Sequence, residues 1–333
     1  SDVAKGPLQA LVSGDKIGPE LGFGAVMGWY HDEPVLLIKS SIGNRGIGWD
    51  ILPPGSERFE AERDGVNYTY AGYGDPSGFW EAGTEPSIDP WYAGKSYDSF
   101  FLDEADMGPK LSWSLGTVFP RRCYIHYQGA SYRNKDEHTS DAASEPGVGA
   151  DWKDFWELRT ETNVTDVLDN FATEYPQWAA QGLEIAGFVS WQGHWDGGQS
   201  GTGTAGVYAK RYEQNLVQLI KTLRDYYGTR YPENIVPDAP FVVATVAFDG
   251  GNWEPGSSAD TIFKAQMAVA DDAAHPDFAG NVGAFDATGY WRTVEASPKD
   301  QGYHYNWNAE TYMLVGDAAG RKMIELLTPR SAL

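Results

Sequence analysis

Two features of the sequence predict an α/β fold with a parallel sheet. Continuous apolar runs of strand length recur along the chain, at Val35–Lys39, Leu183–Trp191, Phe241–Phe248 and Val282–Ala287. Segments with apolar residues at helical spacing stand between them. Strands buried on both faces read as unbroken apolar runs, and their alternation with helices gives a parallel sheet covered on both sides. A chain of 333 residues, 41% of them hydrophobic, can fill one large α/β domain, and 1–333 is read as a single domain.

The elements follow in order. Residues 1–18 are irregular, with glycines at 6, 14 and 18. Gly18-Pro19-Glu20 opens a helix running to about Tyr30, with Pro19 suited to its first turn. Asp32-Glu33-Pro34 stops it, and Val35–Lys39 reads as a buried strand. A glycine-bearing loop, Ser40–Gly48, comes next. Residues 53–160 are rich in Gly, Tyr and Trp and are expected to form a loop-rich insertion with one helix near 95–106. Val164–Tyr175 is a helix, Leu183–Trp191 a strand, and 197–206 a Gly/Ser/Thr loop. Tyr208–Tyr227 carries Tyr212, Leu216, Leu219, Ile220 and Leu223 on one helical face. Strand Phe241–Phe248, helix Ala259–Ala270 and strand Val282–Ala287 follow. Asn308 caps the closing helix, which runs to Leu327.

Composition narrows the function. Thirteen Trp, 19 Tyr and 14 Phe beside 39 Gly fit aromatic loops, on which sugar rings stack; they also fit a large aromatic core. A net charge of −22 opposes nucleic acid and anionic membrane, and suits a secreted or salt-adapted protein; a secreted or periplasmic location is expected. No apolar run reaches the ~18 residues of a membrane span. Cys123 is the single cysteine, so neither an intrachain disulfide nor a thiolate metal site forms. His126 and His138 lack metal-ligand spacing, and Asp249-Gly250-Gly251-Asn252 lacks the alternating oxygen ligands of a calcium loop. No metal and no cofactor is expected. The opening Ser1-Asp2-Val3, without Met, reads as that of a processed or truncated chain.

Ligands of parallel sheets lie at the carboxyl ends of the strands, so the loops there carry the chemistry. These are Ser40–Gly46, Gln192–Gly198, Asp249–Trp253 and the segment leading to His304. Each sets glycines beside polar groups, as an oxyanion hole requires. His304 lies in an aromatic loop just before the last helix, where several hydrolase folds keep their general base.

The segments Ile17–Gly24, Glu33–Lys39, Ile185–Gly193 and Gly302-Tyr303-His304-Tyr305-Asn306 together resemble the sialate O-acetylesterase-like family. The resemblance covers about 17–52 and 164–328, in the family's order. It implies a carbohydrate O-acetylesterase of the SGNH-hydrolase superfamily, with a flavodoxin-like three-layer α/β/α sandwich and acetylated carbohydrate as partner. His304 matches the catalytic base, with Asp300 as its candidate acid and Asp196 and Asp286 as rivals. Gly43 and Asn44 match one oxyanion loop, and Gln192 with Gly193 the other. His194, Trp195 and Asp196 are expected to face substrate.

The chain departs from the family's pattern in three places. No Gly-Gln-Ser-Asn segment precedes Gly18-Pro19-Glu20, and Ser13-Gly14-Asp15 is not that motif. Gln301 stands three residues before His304, where an acid is usual, and Trp195 stands where an Asn is common. The nucleophile is therefore expected on a separate N-terminal segment or chain that completes the sheet. The alternative is a glycan-binding or structural protein on an esterase-like scaffold. His304 also has a bland reading, as a loop histidine packed among tyrosines.

Overall fold

Phe241–Ala244 is buried at every residue, as its unbroken apolar run requires, and it forms the middle of a three-stranded parallel sheet. Phe188–Ser190 pairs on one side of it and Val282–Phe285 on the other. The computed structural model describes residues 5–8, 17–107, 111–159, 162–199 and 205–328, and shows a mixed α/β protein. Its other sheets are antiparallel. The chain forms two compact units: Ser40–Ala180, and the described residues of Asp2–Lys39 with Gln181–Leu333. The expected 53–160 insertion falls within the first unit.

In the second unit, successive side chains of the middle strand point to opposite faces. Val242 packs with Met27, Ala319 and Met323, from the helices Glu20–Tyr30 and Ala309–Leu327. Phe241 stacks on Phe188, whose ring also meets Tyr227 of the long helix Ala205–Arg230. The two helices on the Val242 side cross closely because Gly22 and Gly316 meet there. A Cβ on Gly22 would lie 2.3 Å from the Met313 carbonyl oxygen. Asn308 caps Ala309–Leu327, its side chain accepting from the Thr311 amide.

Two expectations about this sheet are corrected. Val35–Lys39 is not one of its strands: the segment pairs with no strand of the described residues, and Val35 and Leu36 are 38% and 39% exposed. It lies against the first helix instead, with Leu37 beside Gly24 and Lys39 Nζ 2.9 Å from Glu20 Oε2. An apolar run gains strand structure only from a ladder partner, and here it has none. Leu183–Trp191 is also shorter than expected: Phe188–Ser190 makes the ladder, and Ile185 adds a lone parallel bridge to Ile235.

The first unit is antiparallel where loops were expected. Phe59–Arg63, Val66–Tyr70 and Phe79–Glu81 form one meander. Tyr124–Tyr127, Ala130–Asn134 and Trp156–Arg159 form a second sheet. Trp156, Phe119, Cys123, Ile125 and Tyr132 make its core. The helix expected near 95–106 is Lys95–Phe101. No helix of the described residues is long and apolar enough to cross a membrane.

Candidate functional site

The loops after the parallel strands converge on one another within the second unit. Beyond Ser190, Trp191 packs against Tyr305, with ring centroids 4.6 Å apart. Tyr305 stacks on Phe248 from the loop after the middle strand, at 4.8 Å. His194 meets Phe248 at 5.0 Å and Tyr303 at 5.6 Å. His194 and the His304 loop, far apart in sequence, therefore stand side by side.

The backbone holding His304 is unusual. Tyr305, Asn306 and Trp307 are all left-handed, with φ of 50°, 54° and 58°. Non-glycine residues adopt this region at a cost, and such costs gather at functional sites. Asn306 supports the turn: it is fully buried, its Oδ1 accepts from the Gln301 amide and its Nδ2 donates to the Arg292 carbonyl. His304 itself is exposed. Its carbonyl accepts from the Tyr312 hydroxyl, and its imidazole takes part in no hydrogen bond or ion pair among the described residues. Asp300 is exposed and forms no ion pair with it, so the candidate acid–histidine pair is not assembled. Asp286 accepts from the amide and hydroxyl of Thr288.

Beneath the loop after Phe188–Ser190 lies a buried polar network. Gln192 donates through Nε2 to Asp196 Oδ2 at 2.8 Å, and its Oε1 accepts from the Tyr212 hydroxyl at 3.0 Å. Gln266, also buried, donates to the Gln192 carbonyl at 2.6 Å and accepts from the Val246 amide at 2.7 Å. The network fixes the ends of two parallel strands against each other. Burial pushes the Tyr212 hydroxyl far above the ordinary tyrosine range, and the charge of Asp196 adds to this.

These contacts redistribute the expected roles. Asp196 is fully buried and serves Gln192, and Trp195 is buried against Tyr208 at 5.4 Å, so neither faces a ligand. The Gln192 side-chain amide donates to Asp196. Gly193 has φ of 148°, and a Cβ there would lie 2.7 Å from Val246 Cγ1. Its N–H enters no hydrogen bond among the described residues, which leaves it as a donor. His194 is partly buried, and burial, then the neighbouring His304, lowers its pKa.

Gly43 and Asn44 belong to the first unit and are exposed, with Asn44 left-handed at φ 63°. The turn after them is anchored by buried Asp50, which accepts from the Gly46 amide and the Trp91 indole. Burial raises the Asp50 pKa, against the lowering effect of Arg45. His126 and His138 also lie in this unit, and His138 packs on Phe155 and Trp156. Among the described residues no group of His, Cys, Asp and Glu is placed to hold a metal ion.

Sequence reasoning missed the roles of Tyr305, Phe248 and Trp291, which wall the His304 loop, and of Gln266 and Tyr212, which brace the loop after Phe188–Ser190. The aromatic run Tyr303–Trp307 was a visible signal; the bracing residues look like ordinary helix positions. Comparison with protein-family models, with curated proteins and with solved structures finds no match for the chain.

Proposed function

We propose that the chain is the larger part of a secreted or periplasmic carbohydrate O-acetylesterase of the sialate O-acetylesterase-like kind, with a flavodoxin-like sheet. One observation carries this reading: His304, exposed on a strained turn beside the parallel strands' carboxyl ends, has an imidazole engaged in no hydrogen bond or ion pair among the described residues. A general base poised for an incoming hydroxyl needs that freedom. The nucleophilic serine comes on a further segment that adds to the sheet beside Phe188–Ser190, the edge where Val189 is 43% exposed.

His304 takes the serine proton as Oγ bonds to the acetyl carbonyl carbon. The Gly193 N–H stabilises the oxyanion. The bond to the sugar oxygen then breaks, and His304 returns the proton to that oxygen. Water, deprotonated by the same imidazole, releases acetate and restores the serine.

Exposed Tyr303 and Trp307, 50% and 38% accessible, favour a second reading as a glycan-binding protein without catalysis. In the protein as it occurs naturally, His304→Ala should cut acetyl release from p-nitrophenyl acetate or acetylated xylan by about 10²–10⁴-fold, with circular dichroism unchanged. Equal release by the variant would end the esterase reading. Binding of xylan by both proteins without acetate release would establish the second.

A further inference from the structure

The first unit contains a cavity of about 410 Å³ to which no role has been given. It lies among the helix Lys95–Phe101, the turn that follows, the strand Tyr124–Tyr127 and the start of the helix Val164–Asp169. This is within the size range of small-molecule sites. Its wall carries acceptors and donors together: carboxylates of Asp103, Glu104 and Asp166, cations of Lys95 and Arg159, and the His126 ring.

These groups are held in place before any ligand arrives. The Asp166 carboxylate accepts from the Asn163 amide at 2.9 Å in a capping box. Asn163 Nδ2 donates to the Leu102 carbonyl at 2.7 Å, and Thr165 Oγ1 to the Phe101 carbonyl at 2.6 Å, tying the two helices together. His126 Nδ1 stands 3.6 Å from Glu104 Oε1 and 3.5 Å from Ser131 Oγ. Lys95 Nζ lies 4.2 Å over the Tyr124 ring.

The chemistry selects a ligand class. No group of the carboxylates and His126 is placed to hold a metal ion, so the charges line a wall and do not focus on a point. Sugar hydroxyls donate and accept at once, and planar carboxylates can bridge two adjacent hydroxyls. Three carboxylates against Lys95 and Arg159 oppose an acidic sugar. Burial raises the Asp166 pKa, and Asp103, Asp169 and Glu104 add like-charge crowding that a further anion would worsen.

We propose that this cavity is a binding site for one neutral or amino sugar residue. It deepens the carbohydrate reading but does not require catalysis at His304. The test is calorimetric titration of the whole protein with D-glucose, D-xylose, D-glucosamine and D-glucuronate. Saturable binding is expected for at least one of the first three, with glucuronate at least about tenfold weaker. Glu104→Gln and Arg159→Met should each weaken binding by about tenfold or more, while His304→Ala binds as the parent does. Thermal melting checks the fold of each variant, and Asp166, which caps a helix, is left intact. Absence of saturable binding, a preference for glucuronate, or binding indifferent to both variants would overturn the proposal. Binding lost in His304→Ala alone would also overturn it, by moving the sugar to the other unit. Sugar binding without His304-dependent hydrolysis would leave this site standing and remove the esterase reading.

Discussion

The two units bury polar side chains for different ends. In the second unit they gather under the carboxyl ends of the parallel strands: Asp196, Gln266, Thr245, Asn306 and Asn308 are all buried there. Thr245 Oγ1 accepts from the Ala287 amide, and Asn308 binds the Ala296 carbonyl and caps the last helix. In the first unit the buried polar groups staple loops. Asp98 accepts from the Tyr73 and Tyr92 hydroxyls at 2.5 and 2.6 Å, Asn134 donates to the Phe119 and Pro120 carbonyls, and Asp50 binds Gly46 and Trp91. A unit with long helices satisfies its backbone locally and can reserve polar burial for a site. A unit of short strands must use side chains to satisfy its turns.

The largest effect that sharpens this contrast is in the first unit's core. Trp156 is 1% exposed, packs on Phe119 at 5.2 Å and donates to the Ser144 carbonyl at 2.8 Å. Trp156→Ala should cost about 3–5 kcal/mol, seen in urea unfolding and in lost hydrogen-exchange protection of Tyr124–Asn134. A cost below about 1 kcal/mol, the net worth of an ordinary hydrogen bond, would mean that the staples, not the aromatic core, hold this unit.

Next comes the network under the candidate site. Gln266→Leu keeps the volume roughly but leaves the Val246 amide and the Gln192 carbonyl without Gln266. The Gln192 carbonyl keeps the Tyr212 hydroxyl, so the cost should be about 1–3 kcal/mol, chiefly for the Val246 amide left unpaired. Because Gln192 precedes Gly193, any esterase activity should fall by more than the folded fraction does. Unchanged stability would show that water replaces Gln266, and that polar burial here does not brace the loops.

Legibility in the sequence divides along the same line. Phe241–Ala244, Val282–Phe285 and the helices Glu20–Tyr30 and Ala309–Leu327 were readable because their signals are local: an apolar run, a helical stripe, Pro19 at a start, Asn308 at a cap. Val35–Lys39 was misread because strand formation depends on a partner that local composition does not reveal. The hairpins of 53–160 were missed although their turns are local: the left-handed pairs Asp64-Gly65 and Gln128-Gly129 join strands that are short and aromatic, and their alternation is too brief to stand out. At the candidate site, His304 and His194 were readable as residue types beside glycines. Which of their neighbours face outward was not: Asp196 and Trp195 looked like ligands in sequence and are buried braces in the fold.

The smallest expected effect tests whether His194 belongs with His304. Burial, and then the charge of His304, lowers the His194 pKa from its ordinary 6.5. The folded state thus prefers neutral His194 more than the unfolded state does. Stability linked to this group is full above pH 6.5, declines as pH falls below 6.5, and levels off below the lowered folded value. His194→Phe retains a ring between Phe248 and Tyr303 but cannot titrate. Its urea midpoint should therefore fall less steeply than the parent's between about pH 7 and about pH 5. In His304→Ala the second cause is gone, so the His194 resonance in NMR should titrate closer to 6.5 than in the parent, though still below it, because burial is the larger cause. A parent His194 titrating at or above 6.5 would contradict the burial, and no change in His304→Ala would mean that the two rings do not sense one another. The second outcome would leave the polar network intact as a brace while removing the electrostatic link between the His194 and His304 loops.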